Sequence, residues 1–396
     1  MFTAPMPAEG RVLLLTAGGL AADRDIAAVL SGGIDWRVLC WLAEDERATP
    51  IVWRRIQEVL GRRVPAGADL LRRRALVAEF QMAHLEHRLE QLLRAYTDRG
   101  IEVVLLKGAA LATTLYGGFD QRPMGDVDLL VDPSQAEQAW RLALECGWKI
   151  GPEGSETQLW REHHHMQPLD DASGIGVSLE VHTEPFMPGS PFQLDAAAIR
   201  RRSRTAGVRS APTRVPALHD QLLHLCLHFA WSHALTTGSW RTFRDLRVML
   251  EGNAIDWDEF IADVRSSPAA SGCYWTFRLA GVLSGVHVPD RVIRSLRPPR
   301  SELVLGRQER HFVQCVLPIG QGCPSVQLSR AVWSWAMPGV SGPGTIQPWT
   351  RQASFLGNAI GPSVLQRMRH HIRNAAAWRR YLRALLQNPA PRTSAR

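Results

Sequence analysis

The stretch that most restricts this chain is an alternation of carboxylates and aliphatic residues, Asp126-Val127-Asp128-Leu129-Leu130-Val131. Alternate residues of a strand project to one face, so the sequence predicts a strand with Asp126 and Asp128 side by side, about 7 Å apart along the chain. A DxD pair alone says little: at about one aspartate in twenty residues, a chain of this length holds about one by chance. Asp256-Trp257-Asp258 is such a pair, and it opens a helical stretch where capping explains it. The earlier pair is set apart by what precedes it. Gly100 closes a helical segment, and Ile101 to Leu106 is a short β-branched run. Lys107-Gly108 then stands where this strand turns into a short helix, Ala109 to Tyr116. Backbone N–H groups and one lysine at such a turn make a cradle for a polyphosphate. Two carboxylates on one strand face suit a pair of Mg²⁺ ions about 4 Å apart, as phosphoryl-transfer chemistry requires.

Helical spacing surrounds this centre. Residues 20–100 read as helix, with Asp35 as an N-cap and Pro65-Ala66-Gly67 as a break. Ile34-Asp35-Trp36 has an echo in Ile255-Asp256-Trp257, each ahead of a helical stretch. Asp132-Pro133 caps a helix running to about Cys146, further strands are expected at Met166–Leu169 and Val177–Val181, and Leu218–Leu250 returns to helical spacing. The expected fold class is α/β (α+β), a small mixed sheet embedded between helical regions. The expected divisions are 1–99 (helical), 100–185 (core), 186–300 (helical) and 301–396 (a Trp/Pro/Gly-rich segment and a basic helix).

Composition narrows the class. With 45% hydrophobic and 21% charged residues the chain is globular rather than disordered. No run of 18 apolar residues occurs, so no transmembrane segment is expected. Val12 to Ala22 has the apolar length of a signal-peptide core, but Glu9 and Arg11 precede it. Six cysteines without CxxC spacing argue against a zinc ribbon or disulfide framework and fit a reducing, cytoplasmic setting. Residues 291–396 hold 16 arginines and no lysine, with Glu302 and Glu309 the only acids, a net +14. Since the whole chain is +8, residues 1–290 carry −6. Within the tail, residues 367–386 read as a basic amphipathic helix fit for a polyanion such as RNA or an anionic surface. Lysine occurs only at Lys107 and Lys149, which makes Lys107 conspicuous.

The series Lys107-Gly108 … Leu111 … Tyr116 … Arg122-Pro123-Met124-Gly125-Asp126-Val127-Asp128-Leu129-Leu130-Val131 resembles the nucleotidyltransferase superfamily with the polymerase-β-like fold. Within it, the chain is similar to the bacterial uncharacterised nucleotidyltransferases and their KG…L…Y…R-x-M-x-D-x-D-L-L-V pattern. Ile34-Asp35-Trp36, Leu179-Glu180-Val181-His182, His224-Leu225 with His228, and Asp256-Trp257 extend the likeness over roughly residues 30 to 290. The resemblance implies transfer of a nucleoside monophosphate from an NTP to an acceptor hydroxyl, with release of pyrophosphate and with Mg²⁺ or Mn²⁺ as cofactor. Asp126 and Asp128 would hold the metals, with Glu180 as third carboxylate and Glu184 and Asp170 as its rivals. Lys107, Gly108, Ala109 and Arg122 would contact the triphosphate, and His182 would point into the same cleft. The other role for Arg122 is a salt bridge to one of the aspartates. The acceptor is open: an RNA 3′ end, a small molecule or peptide product, or a protein side chain. A nucleotide-binding pseudoenzyme, or an RNA- or membrane-docked interaction protein acting through the tail, are the alternatives.

One departure stands out. Gly108 is followed by Ala109-Ala110, where the superfamily places a second glycine or serine. A positive φ at Ala109 would cost about 1 kcal/mol or more, so a different turn is expected. Tyr116 reads as core, with a stack for the nucleobase as its other role. His224 and His228 share a helix face and are expected to pack or line the cleft. His163-His164-His165, taken as strand, would alternate between faces and fail to converge on one ion.

Overall fold

The computed structural model describes residues 7–18, 22–151, 163–174, 176–187, 190, 192–233, 235, 239–265 and 267–312, with Ala336 and Arg379 beyond them. Five helices come first: α1 (Ala8–Leu13), α2 (Asp23–Ser31), α3 (Trp36–Asp45), α4 (Thr49–Leu60) and the 30-residue α5 (Asp69–Asp98). Asp35 starts α3 by accepting from the Arg37 and Val38 N–H groups. The apolar run from Val12 is core: Val12, Leu13, Leu14 and Ala17 pack with Leu39, Val52 and the distant Trp240.

The sheet has seven strands: β1 (Val104–Leu105), β2 (Asp126–Leu130), β3 (Trp148–Ile150), β4 (Leu169–Asp171), β5 (Ser178–His182), β6 (Arg204–Val208) and β7 (Ala211–Val215). Their order is β3-β4-β5-β2-β1-β7-β6. β2 runs parallel to β5 and β1 to β7, and the other pairs are antiparallel, so the sheet is mixed and the fold is α/β. Helices α6 (Lys107–Leu111) and α7 (Ala136–Glu145) flank β2 in sequence. Period two decides what each face carries. Val127, Leu129, Leu179 and Val181 pack with Leu85, Leu89 and Leu92 of α5 and with Ala139 and Leu142 of α7. The intervening Asp126, Asp128, Glu180 and His182 therefore belong to the other face. That side meets two of the helices that follow α8 (Ala196–Arg202), α9 (Leu218–Trp231) and α10 (Ser239–Gly252), which share a core with α11 (Trp257–Val264) and α12 (Ala269–Ser284). Their aromatic core includes Phe229, Phe243, Trp275 and Phe277. Asp256 caps α11 as Asp35 caps α3.

Three strands were not expected. β6 and β7 lie in the region read as helical, so the sheet extends past residue 185 to Val215. Their turn is Arg209-Ser210, with Arg209 itself left-handed at φ 53°, a place where glycine would have given the signal. β3 is only three residues long. Conversely, residues 166–168 are not strand; β4 begins at Leu169, and before it only His165 forms an isolated bridge, to His182. The basic segment 367–386 and the tryptophans at 333, 335 and 349 lie outside the described residues, Arg379 excepted. Among the described residues, no helix is long and apolar enough to cross a membrane.

Two charged ties bind the layers. Glu90 of α5 accepts from the Ser210 N–H (3.2 Å) and hydroxyl, from Arg209 Nε (2.9 Å) and from Arg94 (3.0 Å), fixing the β6–β7 turn. The Ser210 hydroxyl above all holds the Glu90 carboxyl down at about 2, although burial opposes it. Asp245 of α10, fully buried, accepts both arms of Arg122 at 2.8 Å and the Tyr116 hydroxyl at 2.7 Å. It thus joins the helical layer to the loop before β2.

A carboxyl depressed in the fold stabilises it above the ordinary value and ceases to as pH falls. The Glu90 contribution is therefore expected to fade between about 4.5 and about 2, and Glu90→Gln should flatten that limb of a denaturation-versus-pH curve. Asp245→Ala, which strands a buried guanidinium, should cost about 3–5 kcal/mol in urea unfolding. A loss below about 1 kcal/mol would show the tie to be expendable.

Candidate active site

The parallel register pairs Asp128 with Glu180, Asp126 with Ser178 and Leu130 with His182. Asp128 (2% exposed) and Glu180 thus meet as neighbours on one face, and the fully buried His182 closes the group. Its Nε2 lies 2.9 Å from Asp128 Oδ1 and 3.1 Å from Glu180 Oε2, while Nδ1 faces the Glu184 carbonyl at 3.3 Å. Acceptors at both ring nitrogens favour the imidazolium. Burial opposes that charge, but hydrogen bonds to Asp128 and Glu180 outweigh it and raise the His182 pKa. Lys107 Nζ donates to Asp128 Oδ1 at 2.7 Å. Despite burial, Lys107 and His182 hold Asp128 well below the usual carboxylate range, and a hydrogen bond from His182 lowers Glu180 as well. Asp126 stands two positions earlier, open to the cleft and outside this tight group. Desolvation in the concave cleft and the adjacent Asp128 charge raise its carboxyl.

Lys107 owes its reach to the backbone. It opens α6 at φ 45°, a left-handed conformation costing a side-chain-bearing residue about 1–2 kcal/mol. The positive φ falls on Lys107 and not on Ala109, so Ala109-Ala110 continue as buried helix and the missing second glycine carries no penalty. Gly108 lines the cleft, whereas Ala109 is turned into the core behind it.

Above this floor is a cavity of about 230 Å³, walled by Arg122 and Met124 and roofed by α9 and α10 with the segment between them. The roof supplies Gln221, His224, His228, His233, Arg241 and Asp245. Burial first and the Lys107 charge second depress His224 to about 3; burial and Arg241 bring His233 to about 3, and His228 is lowered likewise. These three imidazoles are neutral at neutral pH. Arg122, expected at the triphosphate, spends its bidentate fork on Asp245 and its remaining nitrogen on the Pro123 carbonyl (2.9 Å). Its partner is a roof residue, not a motif aspartate. Arg241 brings another guanidinium to the cleft, in the field of Arg122, Glu46, Asp126 and Asp245. Sequence reasoning missed Arg241 and Asp245. Their i,i+4 spacing on α10 was the available signal, but every solvated helix shows it.

Two more placements matter. A Cβ built on Gly125, directly before the first carboxylate, would overlap the Arg47 guanidinium, so that glycine admits a side chain from the N-terminal helices. The three histidines at 163–165 are not strand as expected: His163 and His164 lie in a bend, and the three rings gather with centroids 4.1–4.6 Å apart. Asp170 and Glu184 are outside the Asp128–Glu180–His182 group.

Chemically, clustered carboxylate oxygens suit hard divalent cations, and the lysine and arginines beside them suit a polyanion. No curated protein and no solved structure matches the chain. A family model described as uncharacterised nucleotidyltransferase matches residues 32–285, which takes in α3, the whole sheet and both roof helices. The strand-borne carboxylates and the span of that match place the chain in the uncharacterised nucleotidyltransferase family.

Proposed function

We propose that the protein transfers a nucleoside monophosphate from an NTP to an acceptor hydroxyl, releasing pyrophosphate, with Mg²⁺ or Mn²⁺ as cofactor. The observation that carries this reading is the pairing of Asp128 with Glu180 across parallel strands, with Asp126 open to the cleft beside them. Asp126, Asp128 and Glu180 are all-oxygen donors and fit a hard cation. When bound, such ions supply Lewis-acid polarisation of the reacting phosphate and lower the pKa of the attacking hydroxyl.

The chain's own residues do the rest. His182 orients Asp128 and Glu180 by bonding to both. Lys107 bonds to Asp128 and stands at the turn where Gly108 faces the cleft, so its ammonium serves the triphosphate. Arg241 supplies a further positive charge to the leaving pyrophosphate. Arg122, held by Asp245, shapes the cleft wall and adds to its field. The neutral His224, His228 and His233 line the side that receives the base or the acceptor.

The test is label transfer from each α-³²P NTP, with Mg²⁺ or Mn²⁺, into RNA, protein and small-molecule fractions of a host extract. Wild type should label one fraction, identifying nucleotide and acceptor class together. Asp126→Asn and Asp128→Asn should each lose about a hundredfold or more, as removal of several kcal/mol of charge stabilisation implies. Circular dichroism should show both variants folded. Turnover near wild type in either would sink the mechanism, and nucleotide binding without transfer would favour a sensor.

A further inference from the structure

The three imidazoles beside the carboxylates have no part in the reaction described above. His163 and His164 lie in a bend and His165 in a single bridge, so the chain turns where a strand would have splayed the rings apart. One ring nitrogen or another of each lies within 4.8 Å of the others. His165 Nδ1 sits 2.7 Å from the Met166 carbonyl, which can only accept; Nδ1 therefore carries the proton and Nε2 the lone pair. That Nε2 is 3.9 Å from Glu180 Oε2. A ring N–H anchored on a backbone carbonyl is the usual support of a metal-ligating histidine. His164 Nδ1 is buried and has no hydrogen-bond partner among the described residues.

We infer that His163, His164 and His165 form a binding site for a divalent transition-metal ion of the Zn²⁺ or Co²⁺ class, with Glu180 at its edge. The donor set decides the class of ion. Imidazole nitrogens suit zinc, cobalt, nickel and copper, whereas Mg²⁺ demands oxygen ligands and retains its water. The site is therefore distinct in chemistry from the oxygen donors Asp126, Asp128 and Glu180, although it adjoins them through Glu180 and through the His182 ring. His164 and His165 lie against that ring, with centroids 5.1 and 5.0 Å away.

The experiment uses the full chain, free of any affinity tag, stripped with a chelator and titrated with Co²⁺ in excess Mg²⁺. Wild type should develop saturable visible ligand-field bands that Zn²⁺ abolishes, without the sulfur charge-transfer absorption that cysteine ligation would add. The paired variant His163→Ala, His164→Ala should weaken uptake about tenfold or more. Asp126→Asn should keep the bands, because that side chain belongs to the oxygen donors. A thermal melt checks folding, and His163→Gln alone makes the comparison if the pair unfolds. Absence of bands in wild type, or unchanged uptake in the folded variants, would overturn the inference. The readout is metal uptake, so it stands or falls separately from nucleotidyl transfer.

Discussion

The parallel pairing of β2 with β5 is the constraint on which the site rests. Their register sets Asp128 against Glu180, and a slip of β2 by one residue would turn Asp126 and Asp128 into the aliphatic core and bring Val127 to the cleft. The slip is prevented from behind. Val127, Leu129, Leu179 and Val181 are fully buried against α5 and α7, so the apolar face fixes where the acidic face points. The chemistry of the cleft is in this sense specified by residues that never touch it.

Gathering carboxylates is costly unless positive charge comes with them. Here it comes from two directions. Lys107 enters from the end of β1 at the expense of a strained backbone, and His182 comes from β5 itself, two residues past Glu180. The roof adds little net charge facing them: its histidines are neutral, and Arg122 is matched by Asp245. Arg241 is left as the roof's contribution of positive charge, close enough to Asp126 to feel it.

How much of this was legible follows from the period of each element. The shared face of Asp126 and Asp128 could be read because two-residue alternation is a local rule and their strand obeys it, whereas Glu180 and His182 were reached through the family resemblance. The same rule misled at His163–His165, since a bend has no alternation and nothing in three identical residues marks one. The β6–β7 hairpin escaped notice because its turn uses Arg209 in a conformation glycine usually fills, and because β7 contains Pro212, a residue that reads against a strand. Asp245 and Arg241 were invisible for another reason. Their meaning comes from a loop more than a hundred residues away, and a helical i,i+4 pair looks alike whether it faces water or a cleft.

Gly125 shows how closely the N-terminal helices and the carboxylate strand are fitted. The Arg47 guanidinium occupies the volume that any Cβ at position 125 would need. The two positions, far apart in sequence, share one small space, and both fall inside the span common to the family. The dependence runs one way. Position 47 can shorten while 125 stays glycine, whereas a side chain gained at 125 needs the guanidinium at 47 to be shortened or swung aside.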